Sequence, residues 1–220
     1  MLVAIDTATA LASIALFSED RVQAERTWYS DVHHTVEVMP NMVDMLRQLA
    51  VTPGQLTAVA VSLGPGSFTG LRVGLSIAKG LCLSQKISIV GVPTLDVVAY
   101  PHLNQPLPVC ALIKAGRGRL CGAIYRHLDG EWQRASDYRL GTADELSSTI
   151  MEKTLFCGEI DMATERSLAR NLGDKALFAP AASCLRRAGY LAELGWRRLQ
   201  QSQEDDPTTL SPIYLPLPVT

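Results

Sequence analysis

One succession of patterns occurs twice along the 220 residues, and it restricts the folds open to the chain more than any other feature. Residues 2–6 (LVAID), 11–17 (LASIALF) and 22–28 (VQAERTW) are short apolar or alternating runs with tight connections, so they read as three strands in a meander. From His34 to Ala50 the period becomes helical, with Met39, Met42, Val43, Leu46, Leu49 and Ala50 three and four apart. Residues 57–63 (TAVAVSL) form a continuous β-branched run, as in a strand buried on both faces. A helix over 68–84, a strand over 87–90 and a short helix in "VPTLDVVAY" follow, then a proline-rich crossing. Three short strands come again at 108–114, 119–126 and 132–139. After them come a helix over 142–151, capped by Thr142 and boxed by Glu145, and strands at 153–157 and 176–178. A long helix is expected from Pro180 to about Gln200. The halves differ in sequence but share an order: three antiparallel strands, a helix, a strand, a helix. With the boundary near 100–107, the expected lobes are 1–100 and a smaller 101–220.

That order is the one expected for an α/β fold of the actin-like ATPase (ribonuclease H-like) type. Such a fold has two lobes, each with a mixed sheet of about five strands flanked by helices. In it, the turn after the first strand of each lobe holds phosphate. Charged residues make up 19% of the chain, apolar residues 47%, and net charge is −2, so the basic excess of a chain that grips nucleic acid alone is missing. Five scattered cysteines, with no CxxC pair, read as free, mostly buried thiols in a reducing cytoplasm. Neither the apolar start, interrupted by Asp6, nor any later run reads as a signal peptide or membrane span.

The stretch from Val61 to Leu75, VSLGPGSFTGLRVGL, is a strand, a turn and the start of a helix. Its glycines fit neither phosphate motif: Thr69 stands five places after Gly64 and also fills the third glycine position of GxGxxG, and no lysine occurs before Lys79. Gly64-Pro65-Gly66 turns the chain and Ser67 caps the helix. Gly70 and Gly74 lie inside the helix, where each costs about 1 kcal/mol relative to Ala. With Ala78 they form a smooth stripe beside Leu71 and Leu75. The preceding helix carries a matching stripe of Val38, Met42, Met45 and Leu49. Two readings fit these stripes: core against the sheet, and a surface for a partner helix.

The segments LVAIDTAT, HHTVEVMP, LGPGSFTGLRVGLSIAKGL and GVPTLDVVA together resemble the TsaB (YeaZ) family, with weaker matches at LIKAGRGRLCGAIY and PIYLP. The resemblance implies a non-catalytic subunit of the bacterial complex that makes threonylcarbamoyladenosine at adenosine 37 of tRNA. Its expected partners are TsaD in a heterodimer, TsaE in a ternary complex, a second copy when alone, and tRNA through the complex. It favours the partner reading of the stripes, hence an interface at Val38, Met42, Met45, Leu49, Gly70, Leu71, Gly74, Leu75 and Ala78.

Asp6, with Thr7 and Thr9, occupies the first-lobe position that in active members of the fold organises a metal-bound nucleotide. A complete site usually also has an acidic residue at the matching second-lobe turn, which here reads LIKAGRG, with Lys114 and Gly116 where members of the family it resembles more often have Asp and Arg. The half-site leaves room for weak nucleotide binding, and no cofactor is required. A local reading has Asp6 capping its own turn. His33 and His34 read as solvated residues opening a helix, and Arg186, Arg187, Arg197 and Arg198 as a solvated face or a minor tRNA contact. No metal ligands and no nucleophile–base pair are evident. The alternatives are a small-molecule kinase or ATPase of the same fold and, behind it, a peptidase.

Overall fold

The computed structural model describes residues 1–30 and 34–215; His33 and the last residue of the PIYLP segment, Pro216, lie outside them. The described residues divide into two compact units, Met1–Val97 with Arg186–Tyr214, and Val98–Leu185 with Leu215.

In the first unit, strands β1 (Leu2–Asp6), β2 (Leu11–Ser18) and β3 (Arg21–Tyr29) form the expected antiparallel meander. Strands β4 (Ala58–Gly64) and β5 (Ser88–Pro93) join it in parallel, giving the order β3-β2-β1-β4-β5. The strand period of two sends Val3 and Ile5 to one face and Leu2 and Ala4 to the other. Helices α1 (His34–Gln48) and α2 (Phe68–Gln85) cover the Val3/Ile5 face.

The other face is covered by a helix from the far end of the sequence. The expected helix from Pro180 is a single 3-10 turn at Ala181–Cys184, followed by extended residues and then by a helix at Ala188–Gln200. The latter packs Leu191 and Ala192 on Leu2, Ala4, Ala58 and Ala60. Small side chains on this face let it lie close: a Cβ at Gly195 would stand 2.6 Å from that of Ala60. The lobe expected over 101–220 is corrected accordingly. Residues 186–214 belong with the first sheet, because only there does the sheet offer this helix an apolar face.

A short helix α3 (Thr94–Ala99) leads to the second unit. There β6 (Val109–Lys114) and β7 (Leu120–Leu128) are antiparallel. The strand expected at 132–139 is two pieces, β8 (Glu131–Arg134) and β9 (Arg139–Gly141), which pair with opposite ends of β7. Helix α4 (Ala143–Ser147) carries the expected capping box, with the Thr142 hydroxyl accepting from the Glu145 amide at 3.2 Å. Then come β10 (Thr154–Gly158), α5 (Met162–Leu172) and β11 (Ala176–Phe178), and the sheet order is β11-β10-β6-β7-β8. Helix α5 was not expected from the sequence. It starts on an Asp161 cap that accepts from the Thr164 amide at 2.9 Å, and it buries Leu168 against Leu112 and Phe156. It completes the repeated order, standing where α2 stands in the first unit. The helix at 188–200, hereafter α6, is an addition to that order.

Candidate functional site

The glycines after β4 answer to a close approach within the chain. Gly64 has φ +109°, a conformation that side-chain-bearing residues rarely adopt. Ser67 caps α2 as expected, its hydroxyl accepting from the Gly70 amide at 3.3 Å, while its own amide donates to the Ala8 carbonyl at 2.6 Å. A Cβ at Gly70 would run into the Thr7 carbonyl oxygen, and one at Gly74 into the Thr7 hydroxyl. The small-residue stripe is therefore a seat for the turn that follows β1, and the Thr7 hydroxyl donates to the Gly70 carbonyl at 2.7 Å across it.

The expected interface changes with this. Val38, Met42, Met45, Gly70, Leu71, Gly74, Leu75 and Ala78 are buried in the monomer, facing the sheet and the β1 turn. None of them is available to a partner; of the expected set, only Leu49 is exposed, at 37%. The periodicity located both helices, but a helix apolar on two sides turns its tighter stripe inward, where density is highest.

Asp6 ends β1 wholly buried. Its Oδ1 accepts from the Ala8 amide and the Ser62 hydroxyl, each at 3.0 Å, the first being the local turn cap. Its Oδ2 accepts from Arg186 Nε at 2.7 Å, and the Arg186 side chain is 1% exposed. The guanidinium also donates to the Thr9 hydroxyl at 2.9 Å and the Leu11 carbonyl at 2.8 Å. Asp6 and Thr9 thus both bind an arginine from the opposite end of the sequence, while the Thr7 hydroxyl turns away to the Gly70 carbonyl. The set does not fit a divalent cation: the carboxylate is already neutralised and shielded from water. Among the described residues, no group of three or more His, Cys, Asp or Glu side chains could hold a metal ion.

Two readings of individual residues are corrected here. Arg186 is not on a solvated helix face; it is the counter-ion of Asp6. His34 is buried beside the same cluster, and burial pushes its imidazole below the usual histidine range, against the pull of a hydrogen bond to the Thr9 backbone. The other three arginines are exposed or half-exposed and engaged within the chain: Arg187 with Glu25 at 2.5 Å, Arg197 with Glu193 at 2.8 Å, Arg198 with Asp205 at 3.4 Å. In the second unit, Lys114 meets Asp161 at 3.0 Å; the hydrogen bond from the Thr164 backbone, then that ion pair, holds the Asp161 carboxyl at about 2. All five cysteines are free; burial pushes the Cys110 and Cys121 thiols up to about 12, far from nucleophilic use at neutral pH. No helix among the described residues is long and apolar enough to cross a membrane.

What α1 and α2 do offer outward is a groove of about 460 Å³ between them. Thr35 and Met39 line it from α1, and Phe68, Thr69, Arg72, Val73, Ser76 and Ile77 from α2. Val43 continues the α1 side by one turn and is exposed, as is Phe68 at 55%. Contiguous exposed apolar side chains of this kind mark interaction surfaces.

A family model described as TsaD, tRNA N6-adenosine threonylcarbamoyltransferase, matches residues 29–217. The tRNA threonylcarbamoyladenosine biosynthesis protein TsaB of Bacillus subtilis is 31% identical over 220 residues, spanning 98% of this chain and 94% of that protein. Among solved structures, YeaZ from Pseudomonas aeruginosa superposes with a TM-score of 0.81 at 22% identity, over 97% of this chain and 99% of that one. Component A of the (R)-2-hydroxyglutaryl-CoA dehydratase of Acidaminococcus fermentans superposes with a TM-score of 0.53 at 8% identity, over 90% and 98%. Both likenesses concern the fold, which is actin-like in its two mixed sheets flanked by helices.

Proposed function

We infer what the chain does from its family: it belongs to the TsaB family, within the wider group that the threonylcarbamoyltransferase model describes. We propose that it is a non-catalytic subunit of the machinery that makes threonylcarbamoyladenosine on tRNA. It binds the TsaD subunit and keeps it active, and TsaE joins the pair. Alone, the chain pairs with a second copy through the same surface, and it meets tRNA only through the complex, in the cytoplasm.

The observation that carries this reading is the pairing of an exposed apolar groove on α1 and α2 with a polar centre closed by its own arginine. The groove supports a docking role. The neutralised Asp6 speaks against the small-molecule kinase or ATPase, which needs that carboxylate for a metal-bound nucleotide, and no cofactor of its own enters this reading. The buried thiols offer nothing to a peptidase.

The test is complementation of cells lacking this chain, with threonylcarbamoyladenosine in their tRNA measured by mass spectrometry. The wild type restores the nucleoside and co-purifies with TsaD. Val43→Asp, placed on the exposed face of α1, loses both while its circular dichroism is unchanged. Full restoration by Val43→Asp removes the docking reading, and tRNA modification by the purified chain alone removes the non-catalytic one.

A further inference from the structure

Among the described residues, Arg72 is the one charged residue lining the α1/α2 groove, and its guanidinium is held in place from two sides. Its Cζ lies 3.7 Å from the centroid of the Phe68 ring, one turn earlier on α2. Its Nε donates to the Tyr214 hydroxyl at 2.9 Å, and the two rings stand 5.3 Å apart. Tyr214 belongs to the extended tail, which is itself tied down: the Ile213 amide donates to the Leu63 carbonyl at 2.7 Å, and the Ile213 carbonyl lies over Gly64. Among the described residues no carboxylate comes within 4.0 Å of Arg72, and its two terminal amino groups make no hydrogen bond.

A guanidinium costs binding energy mainly through the rotamers it must freeze and the water it must shed. Here the first cost is reduced by the aromatic stack, and the fork that remains lines an apolar groove that holds no acid among the described residues. Planar bidentate capture of a carboxylate is what such a fork does best. We propose that Arg72 anchors the docking surface. It receives an aspartate or glutamate of the TsaD subunit whose neighbouring apolar side chain fills the groove beside Met39, Val73 and Ile77. Tyr214 makes the C-terminal tail part of that surface by fixing the guanidinium. This rests on the docking role proposed above.

Calorimetric titration of the full chain with TsaD of the same cell tests it. Arg72 is exposed, so Arg72→Met leaves the melting curve unchanged. It weakens binding by about 30-fold or more, as hot-spot arginines do, and flattens the salt dependence of the Kd. Arg72→Lys restores charge but not the fork and recovers only part of the loss. Tyr214→Leu weakens binding in the same direction. If Arg72→Met binds as the wild type does while Val43→Asp fails, the docking surface stands and the anchor is overturned. If neither change matters, or the wild type does not bind TsaD, both are overturned. If Arg72→Met abolishes only a homodimer seen by light scattering, or only tRNA retention, the fork meets a second copy or a phosphate, and the TsaD carboxylate is overturned.

Discussion

Arg186 takes a full charge into the floor of the first unit, 180 positions from its partner Asp6. A buried pair of this kind is weak as net stabilisation but costly to break, because the survivor is left charged and dry. Arg186→Met is therefore expected to cost about 3–5 kcal/mol in urea unfolding. Asp6→Asn combined with Arg186→Met should lose much less than the sum of the single changes, since no lone charge is then buried. A result in which the two single losses add would deny the coupling. His34 sits over the same cluster with its Nδ1 unpartnered among the described residues, near Asp6, Glu37 and Arg186. Its folded-state pKa is lowered, so between that value and about 6.5 the unfolded chain binds the proton the folded chain refuses. Stability should fall as pH drops below about 6.5. Burial lowers His102 in the same direction, so replacing His34 alone by Gln should reduce the slope without removing it, which melting curves from pH 8 to pH 5 would measure.

Helix α2 puts glycines at three positions with different surroundings. Gly80 has nothing within 4 Å of the place a Cβ would take, so Gly80→Ala should gain up to about 1 kcal/mol from helix propensity and lost unfolded-state freedom. Gly70→Ala earns the same propensity but drives its methyl into the Thr7 carbonyl, and should lose about 1–3 kcal/mol net. Chemical unfolding of the two variants side by side distinguishes a seat for the β1 turn from a merely tolerated glycine; a gain in both would remove the seat. The stripe itself was visible in the spacing of Gly70, Gly74 and Ala78. Its occupant was not, because Thr7 lies on another element and periodicity reports which residues share a face, never what they face. Helix α5 is faint in the sequence for a related reason. Its apolar face is thin, and only Leu168 is fully buried, so the cap at Asp161 was the main signal it offered.

In the whole molecule, a strand-and-helix order repeated twice coexists with a division that the repeat does not follow. Helix α6 completes the first unit although it is encoded after the second. Removing residues from Arg186 onward should therefore damage the first sheet and spare the second. Hydrogen exchange would show the amides of β1, β4 and β5 losing protection while those of β6, β7 and β10 keep it; equal protection in both sheets would refute the assignment. The actin-like order and most strands of both sheets could be read from the sequence, the division of 132–139 into β8 and β9 apart, as could the paired helices α1 and α2 and the polar end of β1. All of these are written in local periodicity and turn chemistry, which act over a few residues. Three features were decided only in three dimensions: which stripe of α1 and α2 faces inward, which charge answers Asp6, and which sheet α6 covers. Each depends on close packing or on charge pairing between segments far apart in the chain, and those energies exist only once the segments have met.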